Sequence, residues 1–286
     1  MSLTGSRPAP LPAIWLAPGA VTDLPALARF GDLHGVPLVV GPIEVGAQRS
    51  RTGRPIVHGL GVGGVEHQDV ESVSLTSAQD ALRWISSRGL SACLSIRGAS
   101  TGDLAAVVEH ARRSVEADVV TAVEVDLRTA DDQVVLKSMA RVREAAPRGQ
   151  RLLARLAVQG VDSDLVGRAR AAVAGGATAI VVCGQVRLGP GRWWSGPATA
   201  ALCRAGVRAL MQAESEQRWP GAPLVASGGV HSPSSAVAAV RDGAAGVQLG
   251  TALWADPGVL WTIRDAVRAE LARCTSTYPP LPRRNP

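Results

Sequence analysis

The residues in this chain best suited to chemistry are two small-residue turns near its C-terminal end, Gly228-Gly229 and Gly250-Thr251. Each follows a short apolar run, the first within Pro223 to Val230 and the second within Ala245 to Ala252, with an amphipathic helix predicted over 234–242 between them. Glycine lets the backbone come close to a ligand, and a helix N-terminus beside it offers unpaired N–H groups and partial positive charge, so the chemistry is phosphate binding. Either turn alone reads equally well as a tight turn with no ligand. The two together, one βα unit apart, favour the phosphate site that β/α barrels form from the loops after their seventh and eighth strands.

A second group is charged. Asp126, Arg128, Asp131 and Arg155 fall at the C-terminal ends of predicted strands, where barrel chemistry sits, and an ion pair with no catalytic part is the equal alternative. Trp193 and Trp194 lie in a Gly/Pro-containing segment and could wall a flat ligand or anchor the loop. Lys137, the only lysine, falls mid-helix, which removes a strand-borne Schiff base. The four cysteines, Cys93, Cys183, Cys203 and Cys274, have no C-x-x-C spacing, and the five histidines are dispersed, so no metal site and no disulfide framework is expected. Cys93 and Cys183 lie in apolar strand patterns and read as buried structural thiols.

Positioning these groups on one edge takes eight βα units, and 286 residues with 46% apolar content allow them. Strands are predicted over 13–17, 36–40, 91–96, 122–126, 152–156 and 177–183, ahead of the two glycine-ended runs, with helices over 23–30, 77–87 and 101–115 among those between. The fold class is therefore α/β, a (β/α)8 TIM barrel forming one domain over 1–286, with loose tails at 1–12 and 276–286. The polar stretch 41–58, with Arg49, Arg51 and Arg54, is read as a long functional loop, a lid or wall, and the stretch 184–197 as the loop between the sixth strand and its helix.

The formal charge of +6 is carried almost wholly by arginine. Arg112, Arg113, Arg141, Arg143, Arg168 and Arg170 are spread over predicted helices rather than gathered in one tract, which favours solvated helix faces over a nucleic-acid surface. No apolar run has the length of a membrane span and no signal core opens the chain, so a soluble cytoplasmic protein is expected.

The stretch Pro223 to Pro257, reading PLVASGGV and then AVRDGAAGVQLGTALWADP, resembles the C-terminal signature of the dihydroorotate dehydrogenases, flavin enzymes on a β/α barrel. Looser matches follow in order: Leu16-Ala-Pro-Gly19, a loop ending Thr52-Gly-Arg-Pro55, Val123-Glu-Val-Asp-Leu127, Leu153-Ala-Arg-Leu156 and Trp194-Ser-Gly-Pro197. The resemblance implies FMN as cofactor, its phosphate on Gly228, Gly229, Gly250 and Thr251, with Ser195 and Gly196 beside it. It further implies Ala17 and Gly19 along the isoalloxazine, and Arg155 in place of the family's lysine at the flavin's pyrimidine edge, balanced by Asp126 or Asp131.

Departures from the family pattern change the expected substrate. Gly46, Ala47 and Gln48 stand where an early lysine is expected, and Gly61-Val-Gly-Gly64, Asp126, Asp131 and Cys183-Gly-Gln185 replace asparagine-bearing positions. Lost amide partners cost about 1–3 kcal/mol each, so dihydroorotate is not the expected substrate. Thr129 takes the position of the family's base, with Asp126 and Arg155 beside it as candidate catalytic residues, and His58 is a second candidate base without family support. The expectation is an FMN-dependent oxidoreductase of the CH–CH donor class, acting on another small molecule, aromatic or heterocyclic, with a role in specialised metabolism and a homodimer left open. The alternative is a non-redox barrel for a phosphorylated ligand, or a catalytically degenerate partner of another flavoprotein.

Overall fold

The computed structural model describes residues 11–47, 57–60, 63–69, 72–158 and 164–277. In chain order its strands are β1 (Ile14–Leu16), β2 (Leu38–Ile43), β3 (Val57–Leu60), β4 (Gly64–Gln68), β5 (Ala92–Ile96), β6 (Val120–Asp126), β7 (Arg151–Ala157), β8 (Ala179–Cys183), β9 (Val186–Gly189), β10 (Arg192–Ser195), β11 (Leu224–Ser227) and β12 (Gly246–Leu249). Its helices are α1 (Leu24–Leu27), α2 (Leu75–Ser87), α3 (Thr101–Arg112), α4 (Asp132–Ala145), α5 (Leu165–Ala174), α6 (Ala200–Ser215), α7 (Pro233–Arg241), α8 (Ala252–Ala255) and α9 (Val259–Thr277).

Eight of the strands form one all-parallel sheet in the order β1-β12-β11-β8-β7-β6-β5-β2. Strands β1 and β2, at its two ends, come together without a ladder and nearly close the barrel. Parallel strands covered by helices are buried on both faces, which is why their sequences are near-continuous apolar runs. Leu152, Leu153, Ala154 and Leu156 of β7 and Ile180 to Val182 of β8 are all buried. The helices start where the sequence supplies an acceptor for the first orphan N–H groups. Ser74 caps α2, Asp131 caps α4 and Asp164 caps α5. Reciprocal capping boxes open α3 (Ser100, Asp103) and α7 (Ser232, Ser235).

The stretch 184–197, expected to be a loop, and the chain from the end of the expected loop 41–58 through residue 68 build a second layer instead. Strands β3, β4, β10 and β9 form a four-stranded antiparallel sheet in that order, joining the segment after β2 to the segment after β8. Strands β3 and β4, and β9 and β10, are local antiparallel pairs, but β4 and β10 pair Trp193 with His67 and Trp194 with Glu66, partners over 120 residues apart, so nothing local announces the joined sheet.

Other expectations shift by a few residues. Strand β2 runs on through Gly41 and Pro42, and the last helix continues through Ser276 and Thr277, both assigned to a tail. Leu11 packs on the core and Pro12 accepts a hydrogen bond from Trp15 Nε1, so these two are not loose. Residues 1–10, 278–286, 48–56 and 61–62, which include Gln48, Arg49, Arg51, Arg54, Thr52 to Pro55, Gly61 and Val62, lie outside the described residues. Arg168 is not a solvated helix residue: it is 5% exposed and donates from Nη2 to the Ala157 carbonyl at 2.7 Å. Lys137 is exposed on α4. No helix among the described residues is long and apolar enough to cross a membrane.

Candidate functional site

A cleft of about 740 Å³, open mouth included, lies between the C-terminal ends of the barrel strands and the four-stranded sheet. Both glycine turns line it, together with Ala17, Arg155, Ser195 and Gly196. Gly228 and Gly229 have φ of 145° and 68°. A Cβ on Gly229 would stand 2.3 Å from the Ala200 amide nitrogen, and one on Gly228 would stand 2.9 Å from the Gly184 backbone. Turn geometry and packing alone therefore demand these two glycines. Gly250 differs: a Cβ there would meet only Ala17 Cβ at 3.4 Å, so its absence leaves room in the cleft rather than relieving a clash.

Among the described residues, no protein acceptor takes the N–H of Gly228, Gly229, Gly250 or Thr251. Four residues that line the cleft thus have backbone N–H groups without a protein acceptor, the kind of donor set an anion can use. Helix α7 adds less than expected, because Ser235 Oγ accepts from the N–H of His231 and Ser232, and Ser232 Oγ from that of Ser235. Gly19, with φ 70°, turns the chain after β1, and its neighbours Pro18 and Ala20 line the cleft instead.

Arg155 forms part of the floor and is 5% exposed. Its Nη1 donates to Gln248 Oε1 at 2.7 Å and to Glu124 Oε1 at 3.3 Å, and its Nη2 to Gln185 Oε1 at 3.1 Å and Cys183 Sγ at 3.4 Å. Gln248 Nε2 donates to the other Glu124 oxygen at 2.7 Å. Neither Asp126 nor Asp131 is the counter-ion of Arg155; Glu124, fully buried on β6, takes that place. Burial pushes the Glu124 carboxyl up, against the pull of Arg155 and Gln248.

Asp126 instead takes Arg128 in a two-pronged pair, Nε to Oδ1 at 2.8 Å and Nη2 to Oδ2 at 2.7 Å. Burial opposes the charged form of Asp126, but the Arg128 guanidinium outweighs it and holds the carboxyl at about 2. Arg128 also reaches Asp69 at 3.3 Å and Gln185 at 3.0 Å, and its guanidinium lies 4.0 Å over the Trp193 ring. Arg97 closes the set, bonding Asp69 at 2.9 Å. This network ties the end of β4 to the ends of β5 and β6, fixing the outer sheet on the barrel.

The structure separates other expected partners. Asp131 is exposed and caps α4, accepting from Val134 N at 2.8 Å. Thr129 is exposed and borders a neighbouring depression with Glu44, Arg97, Arg187 and Trp193, not the cleft with the glycine turns. The two tryptophans do not wall the cleft: Trp193 stacks on Arg128, and Trp194 packs against Gly64. The aromatic that does line it is Trp254, on α8, its ring edge-on to His67 with centroids 5.7 Å apart. Only the backbone of His58 is described, in β3.

Three residues of the cleft carry no weight in the sequence reading as candidates for chemistry: His67, Asp69 and Gln248. A histidine and an aspartate in a polar stretch give no periodic signal until β4 and β10 are paired. Gln248, the polar residue inside the apolar run of β12, was a readable signal, since a buried polar side chain needs a partner. Cys93, Cys183 and Cys203 are buried, and burial pushes the Cys203 thiol up to about 12. No protein-family model and no curated protein sequence matches the chain.

Proposed function

We propose that the cleft binds FMN and that the protein is a flavin-dependent oxidoreductase, similar to the dihydroorotate dehydrogenases in its cofactor site but not in its substrate. The observation that carries this reading is that the N–H groups of Gly228, Gly229, Gly250 and Thr251, all in residues that line the cleft, have no acceptor among the described residues, and that the same cleft is lined by the Arg155 guanidinium. A phosphate fits the N–H groups, and a flat ring fits the space bounded by Ala17, Pro18 and Pro42. Bound FMN would supply hydride transfer. The chain's own residues would hold FMN: the glycine-turn N–H groups its phosphate, and Arg155, fixed by Glu124 and Gln248, its ring.

The substrate follows from what surrounds the cleft. Asp126 and Asp69 are already bonded to arginines, and the amide nitrogens of Gln185 and Gln248 to Ser195 and Glu124, so dihydroorotate finds no ready amide donor among the described residues of the cleft, and its turnover with fumarate, NAD or a quinone is expected to be negligible. One observation favours a second reading, a non-redox site for a phosphorylated ligand: Glu124 neutralises Arg155, which reduces the charge offered to a reduced flavin. Calorimetric titration separates the two. FMN binding much tighter than either riboflavin or inorganic phosphate supports the flavin reading, whereas a phosphorylated sugar that binds while FMN does not supports the second.

A further inference from the structure

The cleft holds a histidine and a serine in direct contact that the proposed cofactor site does not use. His67 Nε2 lies 2.8 Å from Ser195 Oγ, and His67 Nδ1 lies 2.7 Å from the Gln68 carbonyl oxygen. Both side chains are 4% exposed and both line the cleft. The direction of every proton in this group follows from its neighbours. Arginine only donates, so the Gln185 atom that receives Arg128 Nη1 at 3.0 Å and Arg155 Nη2 at 3.1 Å is the amide oxygen. Gln185 Nε2 then faces Ser195 and donates to its Oγ at 2.8 Å. The carbonyl at His67 Nδ1 can only accept, so Nδ1 carries the proton. In the neutral imidazole Nε2 is then unprotonated, and the serine hydroxyl, still holding its own proton while Oγ accepts from Gln185, donates to it.

We infer that Ser195 and His67 form a proton-transfer pair in the wall of the cleft, with Ser195 Oγ the atom that faces a bound ligand and His67 Nε2 its proton acceptor. It rests on the reading that this cleft is where the ligand reacts. As a proton leaves a ligand atom for Ser195 Oγ, the serine's own proton passes to His67 Nε2, and the ligand atom keeps the bonding electron pair. The pair ends as a neutral serine and an imidazolium whose Nε2–H now donates back to Oγ. The reverse step returns a proton to the ligand. Thr129, exposed in the neighbouring depression, cannot fill this role in the cleft.

The groups around the imidazole keep it a base. Burial pushes His67 below the ordinary histidine value; the Gln68 carbonyl and Asp69 oppose this, and Arg128 adds to it. The Trp254 ring on α8, edge-on to the imidazole, carries no charge. His67 is therefore neutral and proton-accepting at neutral pH, as a general base must be.

Two readouts on the purified protein test the pair. Ring-nitrogen NMR of 15N-histidine-labelled protein should show His67 as the neutral Nδ1–H tautomer at pH 7, titrating below 6.5. Ser195→Ala should move that titration and mix the tautomers. An Nε2–H tautomer, or a titration untouched by Ser195→Ala, overturns the inference. Reaction with a fluorophosphonate then reads proton transfer itself: the Ser195 O–P bond forms, the P–F bond breaks, fluoride leaves and the serine proton goes to His67. Labelling of Ser195 should fall about 10²-fold or more in His67→Gln, with Ser195→Ala as the blank. Equal rates in wild type and His67→Gln, zero included, overturn it. The visible spectrum keeps this separate from the flavin reading: a colourless protein with both signatures retains the pair and loses the flavin, and a yellow protein without them does the reverse.

Discussion

Arg155 was legible from the sequence as a charge at a strand end, but its partner was not. Glu124 sits inside the apolar strand β6, and the residues that satisfy it, Arg155 and Gln248, lie 31 and 124 positions away. Breaking such a buried pair leaves an uncompensated charge, so Arg155→Met should destabilise the protein by about 3–5 kcal/mol in urea unfolding. Adding Glu124→Gln should recover most of that loss; a double variant no more stable than Arg155→Met would show that the two do not pair. Asp126 makes a pH prediction. Its carboxyl sits at about 2 in the fold against 3.8 when unpaired. The stability from its pair with Arg128 is present above pH 3.8 and is lost as the pH falls through 2, amounting to about 2 kcal/mol. Urea titrations across that acid range should show this slope in wild type and a shallower one in Asp126→Asn.

At the scale of elements, the glycine turns were found for a reason only half complete. Phosphate binding and tight turning read alike in the sequence, yet Gly228 and Gly229 are required by the turn whatever binds, and Gly250 is not. Gly229→Ala should cost about 2–4 kcal/mol from positive φ and the clash with Ala200, so lost binding in that variant would say little about phosphate. Gly250→Ala is the informative change. It should alter stability by under about 1 kcal/mol while weakening FMN at least tenfold by calorimetry. Unchanged affinity in Gly250→Ala would remove this turn from the phosphate site. The outer sheet is not legible because its strands are short and polar, and because the β4–β10 pairing that joins its two local hairpins, β3–β4 and β9–β10, spans over 120 residues.

For the whole molecule, the parallel barrel was readable because each of its strands is buried on both faces and carries its own apolar run, whatever its neighbours. The four-stranded sheet has no such covering. It is held by Arg192 with Glu66 and by the Asp69, Arg97 and Arg128 network. Backbone hydrogen exchange should accordingly be slowest in β5 to β8 and faster in β4, β9 and β10, with added FMN slowing the outer sheet more than the barrel. Whether the glycine-lined cleft is a flavin site is tested most directly by the visible absorption spectrum of the purified protein. A flavin spectrum that dithionite bleaches, with FMN released on denaturation at one per chain, is the result predicted. A colourless protein that stays colourless after incubation with FMN and removal of the excess would contradict it.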